Sequence, residues 1–155
     1  MTRQDNEQRL NFLKKVVHQE IQLLQYASNR LFNDYFSPTF SFSSTHLTEK
    51  LEDPEFALVL EAYTSRFCRL QDTVGDKLLP AWLYAQGEIP KTAMENLTYI
   101  ERLGLLDSAQ QWVEIRLLRN QMVHEYIDSP QRLFEALELA HGYEPQIVQL
   151  AKQLS

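Results

Sequence analysis

A chain of 155 residues, 44% hydrophobic and 23% charged, has the make-up of one soluble globular domain, residues 1–155, able to bury about two-thirds of its extended-chain surface. A single cysteine, Cys68, excludes an internal disulfide, argues against a zinc site and fits a reducing cytoplasm, while the opening Met-Thr-Arg-Gln-Asp-Asn-Glu-Gln and the lack of any long apolar run argue against secretion and membrane insertion. A formal net charge of −6 excludes broad, non-specific coating of nucleic acid, which needs many cations to displace counterions, so any RNA contact must be focused on a small basic site.

The first 36 residues predict a long helix: Leu10, Leu13, Val17, Ile21, Leu24, Leu31 and Phe32 recur at three- and four-residue steps, and no glycine or proline occurs before Pro38. Residues 37–53 break that pattern with Ser-Pro-Thr-Phe-Ser-Phe-Ser-Ser-Thr-His and read as a loop or poorly ordered connector; the alternation of Phe40 and Phe42 with serines admits a short extended piece, but the apolar rings favour tucking back onto the bundle. Pro54 suits the first turn of a second helix, where Phe56, Leu60, Tyr63, Phe67, Leu70 and Val74 follow one face. Gly75 and Pro80 lie inside its continuation, so a kink near Pro80 is expected, with the end at Gln86-Gly87. A shorter helix after Pro90 carries Met94, Leu97, Ile100 and Leu103 and stops at Gly104. Asp107 or Ser108 caps the next, which carries Ala109, Trp112, Val113, Ile115, Leu117 and Leu118. The last segment, Pro130 to Ser155, places Leu133, Leu137, Leu139, Ile147, Leu150 and Leu154, and Gly142 and Pro145 make it either a kinked helix or two short ones. Five helical segments and no credible strand define an all-α, up-and-down bundle.

The densest chemistry is Arg119-Asn120-Gln121-Met122-Val123-His124-Glu125-Tyr126, on the last turns of a helix before the break at Asp128-Ser129-Pro130. Asn120 and His124, four apart, share a helix face; Arg119 and Tyr126, seven apart, share a neighbouring stripe. A guanidinium binds phosphate bidentately and stabilises the charge added in a phosphorane-like transition state. An imidazole can take the proton of a ribose 2′-hydroxyl or protonate a leaving oxygen, and the Asn120 amide can orient either group. Arg116, one turn before Asn120, is a further candidate for phosphate contact; its alternative is a solvated helix face paired with a carboxylate.

With no catalytic carboxylate pair, Gly-rich phosphate loop or metal-spaced His/Cys cluster, the sequence predicts neither metal nor cofactor. The reaction these groups permit is metal-free RNA cleavage, with the 2′-hydroxyl as nucleophile and a 2′,3′-cyclic phosphate as product. The same residues also admit a structural role: Arg and His near a helix C-terminus gain about 0.3–1 kcal/mol each from the helix dipole. Tyr126 also suits a half-buried aromatic with a wet hydroxyl.

The pattern Arg119-Asn120-x-x-x-His124-x-Tyr126 resembles the signature of HEPN-domain proteins of the HepT type: Arg, four residues, His, one residue, Tyr. Every position of the motif is matched, including the polar residue after the arginine. The five-helix order and the place of the motif before the final helix agree loosely over most of the chain. The stretch Arg66-Phe67-Cys68-Arg69-Leu70-Gln71-Asp72 is similar to the second long helix of these families, a weaker signal, and the 37–53 connector is an elaboration. The resemblance implies a homodimer whose two motifs face one another across an RNA-binding cleft. It implies the toxin of a type VII toxin–antitoxin pair, whose cognate nucleotidyltransferase antitoxin adds AMP to the motif tyrosine, here Tyr126. An alternative within the same resemblance is a non-catalytic, substrate-binding partner subunit of a nucleotidyltransferase.

Other polar residues carry plainer expectations. His18 reads as a surface or packing histidine, His46 as part of the polar loop, and His141, just before Gly142, as a helix C-terminal residue. Cys68 reads as a buried thiol, and Trp82 and Trp112 as core or dimer-interface anchors.

Overall fold

Thr2 and Asp5 start the first helix, α1 (Arg3–Asn29), with a reciprocal capping box: Thr2 Oγ1 accepts from the Asp5 amide at 3.1 Å, and the Asp5 carboxylate accepts from the Thr2 amide at 2.9 Å. The computed structural model describes residues 2–35, 44–124 and 129–155, excluding the side chains of residues 44–46, 48, 120 and 124. Leu10, Leu13, Val17, Ile21 and Leu24 form the buried stripe of α1 that their spacing predicts. A π turn, Arg30–Tyr35, carries the helix on and sets Phe32 edge-on to Tyr63 at 5.0 Å.

Part of the stretch expected to be a connector is helical instead. α2 (Ser44–Leu51) buries Leu47 completely and packs against the helices α3 (Pro54–Thr73) and α7 (Pro130–Gln153). Its eight residues hold two leucines four apart, enough to anchor one face and too few to show a period. Phe40 and Phe42 lie outside the described residues.

Asp53 caps α3, accepting from the Glu55 amide at 3.0 Å, and Pro54 opens it. Phe56, Leu60, Tyr63, Phe67, Leu70 and Val74 are all buried, as their spacing predicts. Near Pro80 the helix does not end. A π turn, Val74–Leu78, leads into α4 (Leu79–Ala85), with the Leu79 amide reaching back to the Val74 carbonyl. The turn lets Gly75 meet the Trp112 indole, where an added Cβ would lie 3.2 Å from Nε1. Gly87, at φ +84°, follows the close of α4.

A second capping box, Thr92 with Glu95, starts α5 (Ala93–Arg102), which buries Leu97 and Ile100 and leaves Met94 and Leu103 exposed. Ser108 Oγ accepts from the Gln111 amide at 3.0 Å at the start of α6 (Ala109–His124), and Glu101 Oε1 accepts from the Ala109 amide at 2.8 Å. α7 then runs unbroken through Pro145. Pro145 and His141 are both exposed, so the His141 carbonyl that loses its proline-blocked partner lies on the solvent side, while Tyr143 and Ile147 hold the core face.

His141 is therefore mid-helix rather than C-terminal. Its ring stacks on Phe32 with centroids 3.8 Å apart, and Nδ1 lies 3.4 Å from Glu144 Oε1. Glu144 is buried and accepts from Tyr63 at 2.5 Å and Ser28 at 2.9 Å; burial and this carboxylate push the Tyr63 phenol far above its ordinary range.

α1 lies along α3 and α4, α6 packs between α3 and α7, and α2 closes the side between α3 and α7. Trp112 sits in the core of this assembly, and Trp82 packs against it partly buried. Among the described residues there is no strand, and the protein is all-α; counting α3, its π turn and α4 as one rod, six rods stand where five segments are expected, the sixth being α2. No helix among the described residues is long and apolar enough to cross a membrane.

Candidate functional site

Two arginines on α6 meet Asp72, at the end of α3, and Asp76, in the π turn that follows it. Arg116 and Arg119 are three residues apart, Asp72 and Asp76 four apart, so each pair shares a helix face and the two faces oppose one another. Arg116 binds Asp76 as a fork, Nη2 to Oδ2 at 3.0 Å and Nη1 to Oδ1 at 3.4 Å. Asp72 stands between the arginines, 3.0 Å from Arg119 Nη1 and 3.5 Å from Arg116 Nε.

Arg119 is the freer of the two. Its side chain is 56% exposed and spends one donor nitrogen on Asp72, leaving the rest of the guanidinium open to a further anion. It lines a cavity of about 740 Å³ walled mainly by α3, with Leu51 of α2 and Met122 and Val123 of α6. Arg69 and Lys77 also line this cavity. Cys68 faces it as a buried, neutral thiol, pushed up to about 11 by burial.

Behind the cavity, Glu20 of α1 is buried and accepts from Thr73 Oγ1 at 3.1 Å, while its second oxygen has no hydrogen-bond partner among the described residues. Burial raises its carboxyl above the ordinary 4.5, against the opposing pull of the Thr73 bond and of Arg69, Lys77 and Arg66.

Of the residues singled out in the sequence, the structure brings Arg116 and Arg119 together through Asp72. Asn120 and His124 occupy α6, His124 as its last residue, and their side chains lie outside the description. Tyr126 lies outside the described residues. Positions 113, 117, 120 and 124 follow one stripe of α6, and Val113 and Leu117 at its start are exposed to 36% and 62%.

Sequence reasoning passes over Asp72 as a partner and misses Asp76 and the cavity behind them. The available signal is the match between two acids and two bases at helical spacing on two different helices. It has no meaning until the helices are known to pack.

Electrostatically the site is a near-neutral network of two arginines and two aspartates, with the Arg119 guanidinium open to a cavity that Arg69 and Lys77 also line. Such an arrangement can receive an anion without burying an unpaired charge. Comparison with known protein families, with characterised proteins and with solved structures finds no match.

Proposed function

We propose that the protein is a metal-independent endoribonuclease of the HEPN type, the HepT-like toxin of a type VII toxin–antitoxin pair acting in the cytoplasm. The observation that carries this reading is Arg119: an exposed guanidinium, held from one side by Asp72 and open on the other, on the helix that ends at His124. In the reaction, the ribose 2′-hydroxyl gives up its proton and its oxygen attacks phosphorus. The 5′-oxygen leaves with a proton, and a 2′,3′-cyclic phosphate remains. Arg119 clamps the phosphate, His124 moves a proton as general base or acid, Asn120 orients them, and Arg116 adds a phosphate contact shared with Asp76.

The working unit in this reading is a homodimer of five-helix HEPN architecture elaborated by α2. The exposed Val113 and Leu117 lead along α6 to the positions of Asn120 and His124, an apolar seam that would set two motifs face to face. The cognate nucleotidyltransferase antitoxin silences the enzyme by adding AMP to Tyr126.

Cleavage of single-stranded RNA in EDTA tests the activity. Wild type should leave cyclic-phosphate ends, and His124→Ala should lose about 10²–10⁴-fold. Full activity in that variant would refute the assignment. A second reading, a non-catalytic substrate-binding partner of a nucleotidyltransferase, is favoured by one feature: Asp72 and Asp76 already neutralise both guanidiniums. No cleavage of any RNA by wild type would select it.

A further inference from the structure

The cavity beside Arg119 holds an unanswered polar group. Thr64 is 5% exposed and lines it, yet Thr64 Oγ1 has no hydrogen-bond partner among the described residues. A buried hydroxyl without a partner is costly, so a ligand that bonds to it gains accordingly. Leu60 and Met122 give the walls an apolar character, and Glu61 lines the cavity with no ion pair among the described residues.

We propose that this cavity receives one unstacked nucleobase of an RNA strand, with the adjoining backbone phosphate on Arg119, and that Thr64 and Glu61 read the edge of the base. This rests on the ribonuclease reading and adds to it a subsite that decides which nucleotide lies beside the scissile phosphate. An acyl chain fits the apolar walls but leaves Thr64 unpaired and offers Glu61 no donor. A heteroaromatic ring supplies apolar faces, edge donors and acceptors, and an attached phosphate. A carboxylate accepts and does not donate, so Glu61 favours bases with an exocyclic amino group (adenine, cytosine or guanine) over uracil, whose single ring N–H donor is flanked by two oxygens that the carboxylate repels.

Binding of dye-labelled 2′-O-methyl oligomers of adenosine, cytidine or uridine, followed by anisotropy, tests this without any cleavage step. Wild type should bind the adenosine and cytidine oligomers between about 5-fold and 100-fold tighter than the uridine oligomer. Glu61→Gln and Thr64→Val should bring that ratio close to one, and Ala57→Trp, which fills the cavity, should weaken binding of all three. Thr64→Val removes only an unpaired hydroxyl and Glu61 is exposed, so both variants should melt as wild type does. Equal binding of the three oligomers by wild type, or a preference that survives Ala57→Trp, overturns the proposal. So does free AMP or CMP binding as tightly as the oligomer, because the ligand would then be a loose nucleotide rather than RNA. A protein that shows the preference yet cleaves no RNA keeps the subsite and loses the ribonuclease reading; one that cleaves without preference does the reverse.

Discussion

Asp72 binds Arg119 and Arg116 at once, accepting from Arg119 Nη1 at 3.0 Å while its other oxygen lies 3.5 Å from Arg116 Nε. A carboxylate so placed both aims the guanidinium and competes with any phosphate that approaches it. Asp72→Ala should therefore lower KM for RNA severalfold at low salt, a gain that disappears near 1 M salt where charges are screened within about 3 Å. kcat should fall by roughly tenfold as Arg119 loses its orientation. The pair is partly exposed, so stability should change by no more than about 1 kcal/mol. Steady-state kinetics at two salt concentrations, with a urea melt, separates these effects. KM and kcat both unchanged would remove Asp72 from the site.

α2 makes a sharper claim than its sequence does. Leu47 is fully buried. If α2 is docked on α3 and α7, Leu47→Ala should cost about 2–5 kcal/mol in urea unfolding, the range for a buried leucine in a core. A residue in a loose connector would cost less than about 0.5 kcal/mol, and that result would detach α2 from the fold.

Glu20 gives a pH dependence of definite sign. Burial raises its folded-state carboxyl above 4.5, so the folded chain holds this proton more tightly than the unfolded chain does. The folded state is then favoured most below 4.5, and the contribution is lost as pH rises through the raised value. Glu20→Gln keeps an acceptor for Thr73 and removes the buried charge. Its stability relative to wild type should grow between pH 5 and pH 8, read from urea midpoints. A difference that stays flat or shrinks over that range would contradict the assignment.

The long helices were legible because one face of each meets the core along its whole length: the stripes of α1 and α3 announce themselves in the spacing of Leu10 to Leu24 and Phe56 to Val74. Their punctuation was local too, in Pro54, Ser108 and the glycines at 87 and 104. α2 was hidden because two leucines make an anchor and not a period. Pro145 left one helix or two open because the penalty of a mid-helix proline depends on where the orphaned carbonyl points, which only the packed helix decides, and one helix spans it. His141 owes its place to Phe32 and Glu144, and Arg116 and Arg119 owe theirs to acids 40 and 47 residues earlier in the chain. The motif was visible in the sequence, whereas the carboxylates that hold its arginine and the cavity it opens on are products of the packing of α6 on α3.

Arg119 sets a test of geometry distinct from charge. Arg119→Lys keeps the cation and the attraction for phosphate but loses the planar fork. Cleavage should fall by about 10²-fold or more while RNA binding at low salt weakens only a few-fold. Loss of both in equal measure would make Arg119 a binding residue alone.

Tyr126 separates packing from control. The modification needs a phenol oxygen that attacks the α-phosphorus of ATP, releasing pyrophosphate and leaving an AMP ester on the tyrosine. That ester adds bulk and one negative charge within the same motif as Arg119, where an RNA phosphate would otherwise bind. Tyr126→Phe has no such oxygen, so it should fold and cleave as wild type does and stay toxic when the nucleotidyltransferase is co-expressed. Wild type incubated with that enzyme and ATP should gain the mass of one AMP, mapped to Tyr126 by peptide sequencing. If Tyr126 only packs, the phenylalanine variant is silenced as readily as wild type. An unmodified mass, or an adduct on another residue, would refute AMP transfer to Tyr126 and leave the cleavage chemistry of Arg119 and His124 to stand on its own assay.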